Sequence, residues 1–324
     1  MNVIVEREKG PLQELETRIA ALRERGGTLD DVRVLEDKYI ALLRDLFGNL
    51  SPWERVNMAR HPKRPTATDY LTAFDRFDEL HGDRHFRDDP ALVGGFAKLR
   101  GRRVVVLTQQ RGRDTKENIR RNFGMVSPEG YRKAKRLMEL ASRFGLPIVS
   151  LIDTTGADPG IGSEERAQSE AIAACLLTLA KATVPVVATI IGEGGSGGAL
   201  AIALADKVIM AENAVYSVAS PEGCAAILWG DAGRAPEAAE RLKLTSADLV
   251  RFGMVDRVVQ EPLGGAHRDA PAFVNHVLDA IDDELRALDG VGASELRESR
   301  YAKYRRIGAW EEALQHDVVA AVAP

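Results

Sequence analysis

Short apolar runs alternate with helical segments across the middle of the chain, and this alternation restricts the fold more than any other feature. The runs are rich in β-branched residues, are bounded by glycine, proline or charge, and cover residues 104–107, 148–152, 184–191 and 208–210. Helical segments are predicted between or after them at 127–144, 163–180 and 197–205. Strands that alternate with helices predict an α/β body around a largely buried sheet. The tetrapeptide Ser-Pro-Glu-Gly recurs at 127–130 and 220–223, and it is typical of a helix start in a repeated unit.

The regions outside this body are predicted to be mainly helical. The first region carries two apolar stripes at helical spacing, interrupted by Gly26-Gly27, and this predicts a helical hairpin. The stripes pack either against each other or against the main body or a partner. The second region is rich in proline and arginine, with a short helix near 69–80. The predicted regions are a hairpin at 1–50, a connector at 51–90, an α/β domain at 91–268 and a C-terminal helical extension at 269–324.

Composition excludes several classes of protein. The 324 residues include 44 Lys and Arg against 48 Asp and Glu, and 45% are hydrophobic. This mixture argues against a disordered chain, and the net charge of −4 argues against a general nucleic-acid binder. Two cysteines, Cys175 and Cys224, are too few for a four-thiolate zinc site. The first ten residues lack the apolar core of a signal peptide and no apolar run approaches ~20 residues, so we expect a cytoplasmic protein without a membrane span.

The densest functional signal is a glycine run after the third apolar run. Residues 191–200 read Ile-Gly-Glu-Gly-Gly-Ser-Gly-Gly-Ala-Leu, with five glycines in seven residues. Glycine loses much backbone entropy on folding, so this density predicts a turn whose backbone approaches a neighbour or a ligand closely. Amides at the start of the following helix would suit an anion or an oxyanion. Tight helix–strand packing without a ligand is the alternative.

Other motif matches carry less weight. Residues 192–197 fit the G-x-G-x-x-G dinucleotide fingerprint, but the segment up to Lys207 is too short for the usual crossover helix. Ser196 fits the letters of the G-x-S-x-G nucleophile elbow, a match that a glycine-rich run gives by chance. His81 and His85 have i,i+4 spacing without the glutamate of a metalloprotease motif, so we expect no metal site there.

Two further segments complete the candidate site. A second turn, Asp-Thr-Thr-Gly-Ala-Asp-Pro-Gly at 153–160, follows the strand predicted at 148–152. Turns after two strands can bring backbone amides into one small volume, which is the layout of an oxyanion hole. Residues 111–136 hold nine Lys and Arg against three Asp and Glu, a local charge of +6. This basic run is either a solvated face or a contact for an anionic ligand such as a nucleotide phosphate.

Several long segments resemble the carboxyltransferase α subunit of bacterial acetyl-CoA carboxylase. The resemblance extends over about residues 51–268 and more loosely over both helical ends. Its most specific segments cover residues 59–62, 112–125, 128–134, 192–200, 220–225 and 261–268.

The resemblance implies an α/β fold of the crotonase (ClpP/crotonase) type, a spiral of ββα units with N- and C-terminal helical extensions. It implies an enzyme that moves CO2 from carboxybiotin to acetyl-CoA, giving malonyl-CoA for fatty acid biosynthesis. Carboxybiotin would arrive on a separate biotin carboxyl carrier protein, after a separate biotin carboxylase component had used ATP to make it. The implied partner is a β subunit that carries zinc, in an α2β2 assembly. We expect no metal in this chain, and neither nucleic acid nor membrane as its main ligand.

The resemblance also assigns site residues. The backbone amides expected to stabilise the biotin ureido oxyanion are those of Gly194, Gly195, Gly156 and Ala157. The turn on the biotin side would include Thr155, Asp158, Gly197 and Gly198. Contacts to CoA phosphates or to the partner would come from Arg111, Arg113, Lys116, Arg120 and Arg121.

Three residues depart from the family pattern. Thr155 replaces proline and Asp158 replaces tyrosine in the second turn, and Gln109 stands where histidine is usual. Two like charges about 4 Å apart cost on the order of 4 kcal/mol at an effective dielectric of about 20, so a carboxylate facing a developing anion would be harmful. Either Asp158 points away, or the chain is a divergent paralogue that carboxylates another acyl-CoA. A stand-alone acyl-CoA hydratase, isomerase or decarboxylase and a non-catalytic scaffold for a β-like partner are the remaining hypotheses.

Overall fold

A mixed sheet of eight strands organises the part of the chain that the structure describes. The structure is a computed structural model that describes residues 2–26 and 28–308. The strands are β1 (Arg76–Glu79), β2 (Leu92–Leu99), β3 (Arg102–Gln109), β4 (Ile148–Thr154), β5 (Val186–Gly195), β6 (Lys207–Ala211), β7 (Val215–Ser217) and β8 (Arg257–Val259).

The sheet is antiparallel at one edge and parallel in its centre. The strands follow the order β1-β2-β3-β4-β5-β6-β8, and β7 pairs with the end of β5. Pairs β1–β2 and β2–β3 are antiparallel, whereas the pairs from β3 to β8 are parallel. Every residue of β4 is buried, because a parallel sheet is covered on both faces. The continuous apolar runs of the sequence therefore form the central strands.

Helices connect the strands and extend both ends of the chain. They are α1 (Val3–Arg7), α2 (Pro11–Glu24), α3 (Leu29–Phe47), α4 (Pro52–Ala59), α5 (Ala67–Thr72), α6 (Thr115–Arg120), α7 (Pro128–Phe144), α8 (Ile161–Glu165), α9 (Gln168–Lys181), α10 (Ser196–Leu200), α11 (Pro221–Trp229), α12 (Ala235–Leu242), α13 (Ser246–Arg251), α14 (Ala270–Ala287) and α15 (Ala293–Arg305). Both α7 and α11 begin at the proline of a Ser-Pro-Glu-Gly repeat; α11 directly follows β6 and β7, whereas α6 lies between β3 and α7. None of the helices described is both long enough and apolar enough to cross a membrane.

Three of the four predicted strands are confirmed, and the fourth differs at both ends. The runs at 104–107, 148–152 and 208–210 lie inside β3, β4 and β6. The third run begins at Val186 rather than at residue 184, and its strand continues to Gly195. The prediction that the first glycines form a turn is therefore wrong. Their backbone stays extended because β7 pairs with Glu193, Gly194 and Gly195 along one side.

Three predicted helices have different limits in the structure. The helix predicted at 163–180 is divided between α8 and α9 by Ala167, whose φ of 65° is left-handed. The helix predicted at 197–205 is the short α10. The helix predicted near 69–80 ends at Thr72, because the following residues enter β1 and pair with β2.

The N-terminal helices pack onto the body through a small apolar cluster. Helices α2 and α3 contact each other, and the buried side chains shared with α1 and α4 are Ile4, Leu12, Leu43, Phe47 and Met58. Met58 belongs to α4, so the apolar stripes of the hairpin are buried partly against the region predicted as a connector. That region also supplies β1 at the edge of the sheet. The division into four regions stays a prediction. Met1, Gly27 and residues 309–324 lie outside the described residues.

Candidate active site

The carboxyl ends of β4 and β5 bring the two glycine-containing segments into contact. Between Ile152 and Thr154, β4 advances by two residues while the paired stretch of β5 advances by four, so β5 bulges outward here. A Cβ atom on Gly195 would lie 2.1 Å from the carbonyl oxygen of Thr155. Only glycine therefore permits this approach of the two backbones.

Helix α10 begins at the same contact. A Cβ atom on Gly198, in its first turn, would lie 2.4 Å from the backbone nitrogen of Ala157. The carbonyl oxygen of Gly198 accepts hydrogen bonds from Gln109 Nε2 at 2.7 Å and from the Tyr131 hydroxyl at 3.1 Å. Gln109, one of the departures from the family pattern, thus holds the start of α10 against the second turn.

The backbone amides of the second turn differ in availability. The Gly156 N–H donates to Thr154 Oγ1 at 3.1 Å, and the Asp158 N–H donates to the Val126 carbonyl at 3.0 Å. The Ala157 N–H between them has no hydrogen-bond acceptor among residues 2–26 and 28–308. Of the two amides predicted to oppose the glycine run, Ala157 is therefore the one available to an oxyanion.

The other predicted turn residues lie around this contact. Gly194 and Gly195 are the last two residues of β5, and Gly194 is in register with Thr154 on one side and Tyr216 on the other. Thr155 is exposed, and Gly197 is half-buried in the first turn of α10. The structure thus brings all the predicted turn residues together, although it places the first two in a strand.

Asp158 is turned toward its own loop. Its carboxylate accepts hydrogen bonds from the Ser163 hydroxyl at 2.5 Å and from the Gly160 N–H at 3.1 Å. Ser163 lies in α8, so the carboxylate ties the loop to the helix that follows it. These bonds favour the hypothesis that Asp158 points away, because they hold its charge within the loop rather than at the contact between Thr155 and Gly195.

Sequence reasoning missed a buried charge cluster beneath this contact. Arg111 Nη2 lies 2.5 Å from Glu193 Oε2, and Arg111 Nε lies 3.3 Å from Asp153 Oδ1. Arg60 Nε donates to Glu193 at 2.8 Å, and Asp153 accepts the Glu193 N–H at 3.0 Å. The signal in the sequence was a carboxylate at the end of each of two buried strands, because a buried carboxylate needs cationic partners.

Burial and charge pairing act in opposite directions on the pKa values in this cluster. Burial raises the pKa of Asp153 above its ordinary value, and Arg111 offsets only part of that effect. Burial also raises the pKa of Glu193, but the charges of Arg111 and Arg60 outweigh burial and hold that pKa below its ordinary value. Burial lowers the pKa of the Arg111 guanidinium, but the carboxylates of Asp153 and Glu193 outweigh burial and raise that pKa above its ordinary value. The cluster therefore stiffens the strand ends with paired charges.

The five predicted basic contacts do not act as one run. Arg111 belongs to the buried cluster, and Arg113 and Arg121 each pair with a carboxylate of this chain. Lys116 and Arg120 are exposed and pair with no carboxylate among the described residues. Lys116 and Arg120 thus keep their charges unpaired within the described residues, and contacts of all five residues to CoA phosphates or to the partner stay a prediction.

Two open clefts flank the glycine run. A cleft of about 410 Å³ lies over the charge cluster, with Arg60, Arg111 and Thr155 in its walls. The other, of about 360 Å³, is mostly apolar and is lined by Ser196, Gly197, Leu200, Tyr216, Val218 and Phe252, among others. Both have the size of a site for a small ligand or for part of a larger one.

Ser196 has none of the partners of a nucleophile among the described residues. Its φ of 54° is left-handed and its side chain is exposed between β5 and α10. No histidine or carboxylate of the described residues forms a hydrogen bond with its hydroxyl, so it has no base to activate it.

One cluster in the described chain contains residue types that bind metals. The ligand atoms of Glu8, His61 and His267 lie within 4.8 Å of one another. His61 Nδ1 accepts the Lys63 N–H, so Nε2 carries the hydrogen and donates to Glu8 at 3.1 Å. His267 Nε2 and Arg268 Nη2 both lie 2.7 Å from the other oxygen of the same carboxylate. These contacts fasten the N-terminal helices to the body through hydrogen bonds.

Similar proteins have one consistent description. The family model for acetyl co-enzyme A carboxylase carboxyltransferase-like proteins matches residues 4–308. The acetyl-coenzyme A carboxylase carboxyl transferase subunit alpha of a Thermus thermophilus strain is 52% identical over 308 residues, which cover 93% of this chain and 98% of the relative. The protein of the same name from Stenotrophomonas maltophilia (strain K279a) is 51% identical over 309 residues, covering 94% and 97%.

Solved structures share the fold at lower identity. A Pseudomonas malonate decarboxylase hetero-tetramer in complex with coenzyme A matches with a TM-score of 0.55 at 16% identity, covering 68% of this chain and 87% of that one. Transcarboxylase 12S, with methylmalonyl-coenzyme A and methylmalonic acid bound, has a TM-score of 0.51 at 22% identity, covering 64% of this chain and 40% of that one. The crotonase-type α/β fold predicted from the sequence is confirmed. With the family model and these relatives spanning nearly the whole chain, the protein belongs to the acetyl-coenzyme A carboxylase carboxyltransferase family.

Proposed function

We propose that this protein is the carboxyltransferase α subunit that moves CO2 from carboxybiotin, held on a biotin carboxyl carrier protein, to acetyl-CoA to give malonyl-CoA. The observation that carries the proposal is the contact between the end of β5 and the turn at 153–160, beside which the Ala157 N–H has no acceptor in the described chain. Identity of 52% to a subunit of that name supports the same activity. We place the protein in the cytoplasm, where its malonyl-CoA would serve fatty acid biosynthesis.

The chain contributes backbone donors rather than a reactive side chain. When bound, carboxybiotin supplies CO2 and leaves a ureido nitrogen able to take a proton from the acceptor. The amide of Ala157 would hydrogen-bond the ureido oxygen as negative charge develops on it. Gly194 and Gly195 pair with β7 and β4 in the sheet, so they hold the contact in place rather than supply free N–H groups. Because the close contact between the two glycine-containing segments holds this donor in place, it needs little reorganisation during the reaction, and such a donor is worth about 3–4 kcal/mol of barrier.

A partner subunit is part of this proposal. The relatives are named as alpha subunits, which implies a complex with other subunits. Leu200, Val218 and Phe252 expose 37%, 76% and 45% of their surface beside the glycine run, as an interface requires. We infer a zinc-containing β subunit in an α2β2 assembly, served by the carrier protein and by an ATP-dependent biotin carboxylase.

The test is reconstitution with the cognate β subunit, carboxylated carrier protein and acetyl-CoA. We expect malonyl-CoA only when both subunits are present, and co-purification of the zinc protein at equal stoichiometry. Gly194→Val should abolish the transfer, because a Cβ there would meet the Tyr216 ring at 2.7 Å. Turnover of an acyl-CoA without biotin would instead indicate a stand-alone enzyme, and undiminished transfer by Gly194→Val would indicate a scaffold. Preference for propionyl-CoA over acetyl-CoA would indicate a divergent paralogue.

A further inference from the structure

A groove of about 550 Å³ lies outside the candidate active site, between the loop before β2 and the helices α7 and α9. Arg84 and His85 of the loop, Arg132 and Arg136 of α7 and Glu170 of α9 are among the residues that line it. Its volume is in the range of sites for small organic ligands. The proposed carboxyl transfer uses none of these side chains.

Two guanidinium groups in this groove have no carboxylate partner in the part of the chain that the structure describes. Arg84 Nη1 donates to the His81 carbonyl at 2.9 Å, and Arg136 Nη2 donates to the same oxygen at 3.2 Å and to the Gly82 carbonyl at 3.0 Å. No carboxylate lies within 4.0 Å of either guanidinium among residues 2–26 and 28–308. Arg136 Nε is a buried donor without any hydrogen-bond partner in that part of the chain.

The neighbouring charges are, by contrast, paired. Asp83 Oδ2 accepts from Arg132 Nε at 3.0 Å, while its Oδ1 accepts three backbone N–H groups. Lys135 pairs with Glu139 at 2.8 Å. Burial and the charge of Arg84 both lower the pKa of Arg136. Two like charges that share one carbonyl oxygen therefore lie side by side, and no described residue supplies a counter-ion.

The geometry points to a phosphoryl-binding site at Arg84 and Arg136. A guanidinium recognises phosphate through two parallel N–H···O bonds, and two guanidiniums can hold a dianion without displacing an internal ion pair. The unused Nε–H of Arg136 supplies one of those donors. Glu170, exposed on the facing wall, weakens the attraction but leaves it net positive.

The phosphoryl group can belong to free phosphate or to a phosphorylated nucleotide such as the one in CoA. The groove is larger than a single phosphate, so we expect a nucleotide to bind more tightly. Titration calorimetry at low salt with inorganic phosphate and with adenosine 3′,5′-bisphosphate distinguishes these sources. Because binding is measured directly on this chain, the result is independent of the proposed carboxyl transfer.

The variants separate specific binding from general attraction. Arg84→Gln and Arg136→Gln should each weaken binding about tenfold or more, since each removes a charge-assisted pair of hydrogen bonds. Arg143→Gln, which removes an equal charge from the same helix outside the groove, should change the affinity less than about twofold. Glu170→Gln should tighten binding, because it removes the opposing charge.

Circular dichroism must show that each variant is folded. If Arg136→Gln fails to fold because Arg136 is half-buried, Arg84→Gln still tests the proposal, because Arg84 is exposed. Equal affinity of the wild type and of folded Arg84→Gln would overturn the assignment. Failure of both probes to bind the wild type would do the same.

Discussion

Substituting Gly195 by alanine tests whether the contact between the end of β5 and the turn at 153–160 is needed for catalysis. The added Cβ would lie 2.1 Å from the carbonyl oxygen of Thr155 and 2.3 Å from its carbonyl carbon. Non-bonded heavy atoms require about 3.5 Å, so the turns must separate by more than about 1 Å. A displacement of that size at a catalytic site costs about 100-fold in rate, or about 2.7 kcal/mol. We expect kcat for carboxyl transfer to acetyl-CoA to fall by about this factor.

Gly197→Ala is the matched control, two residues further along the same run. A Cβ there would meet only Ile172, at 3.9 Å, which is an ordinary contact. We expect this variant to unfold at the same temperature as the wild type. Its kcat should fall by no more than about tenfold, against about 100-fold for Gly195→Ala. The assay follows labelled carboxyl from carboxybiotin to acetyl-CoA in the presence of the partner subunit, and circular dichroism reports folding. Equal rates for the two folded variants would refute the reasoning from backbone contact.

Three further predictions concern charge. Asp158→Asn should change kcat less than about threefold, because its carboxylate is bonded within its own loop; an increase of about tenfold or more in the transfer assay would place the charge beside the anion instead. Arg64→Ala should lower the free energy of unfolding by about 3–5 kcal/mol, because it leaves the buried carboxylate of Glu261 without its cation. Arg113→Ala, which breaks the more exposed pair with Asp69, should lower it by less than about 1 kcal/mol. Urea titrations measure both values. Burial lowers the pKa of His267, and hydrogen bonds from His267 and His61 lower the pKa of Glu8 despite its burial. At low pH the unfolded chain therefore binds more protons than the folded chain. The free energy of unfolding should fall below pH 6.5 because of His267 and again below pH 4.5 because of Glu8. Glu8→Gln should remove the lower part of this loss, and a urea midpoint that falls equally in both proteins down to pH 4 would contradict the role of Glu8.

Local chemistry explains which elements could be predicted. The central strands are β-branched runs bounded by breakers, and both Ser-Pro-Glu-Gly segments begin helices, since proline suits the first helical position wherever it occurs. The end of β5 could not be predicted, because what keeps Gly194 extended is β7, a strand that follows it by about twenty residues. The strand β1 depends in the same way on β2, which pairs with it along its whole length.

The candidate site divides along the same line. The amino-acid sequence alone determined the family, the α/β class and the two glycine-containing segments, because long motifs and backbone preferences are properties of adjacent residues. Only the tertiary structure decided that the Ala157 amide has no acceptor among the described residues while that of Gly156 has one, that Asp158 bonds within its own loop, and that Arg111 pairs with buried carboxylates. Those outcomes depend on which groups lie within hydrogen-bonding distance after folding, and residues as far apart in the chain as Arg60 and Glu193 come that close only when the sheet has formed.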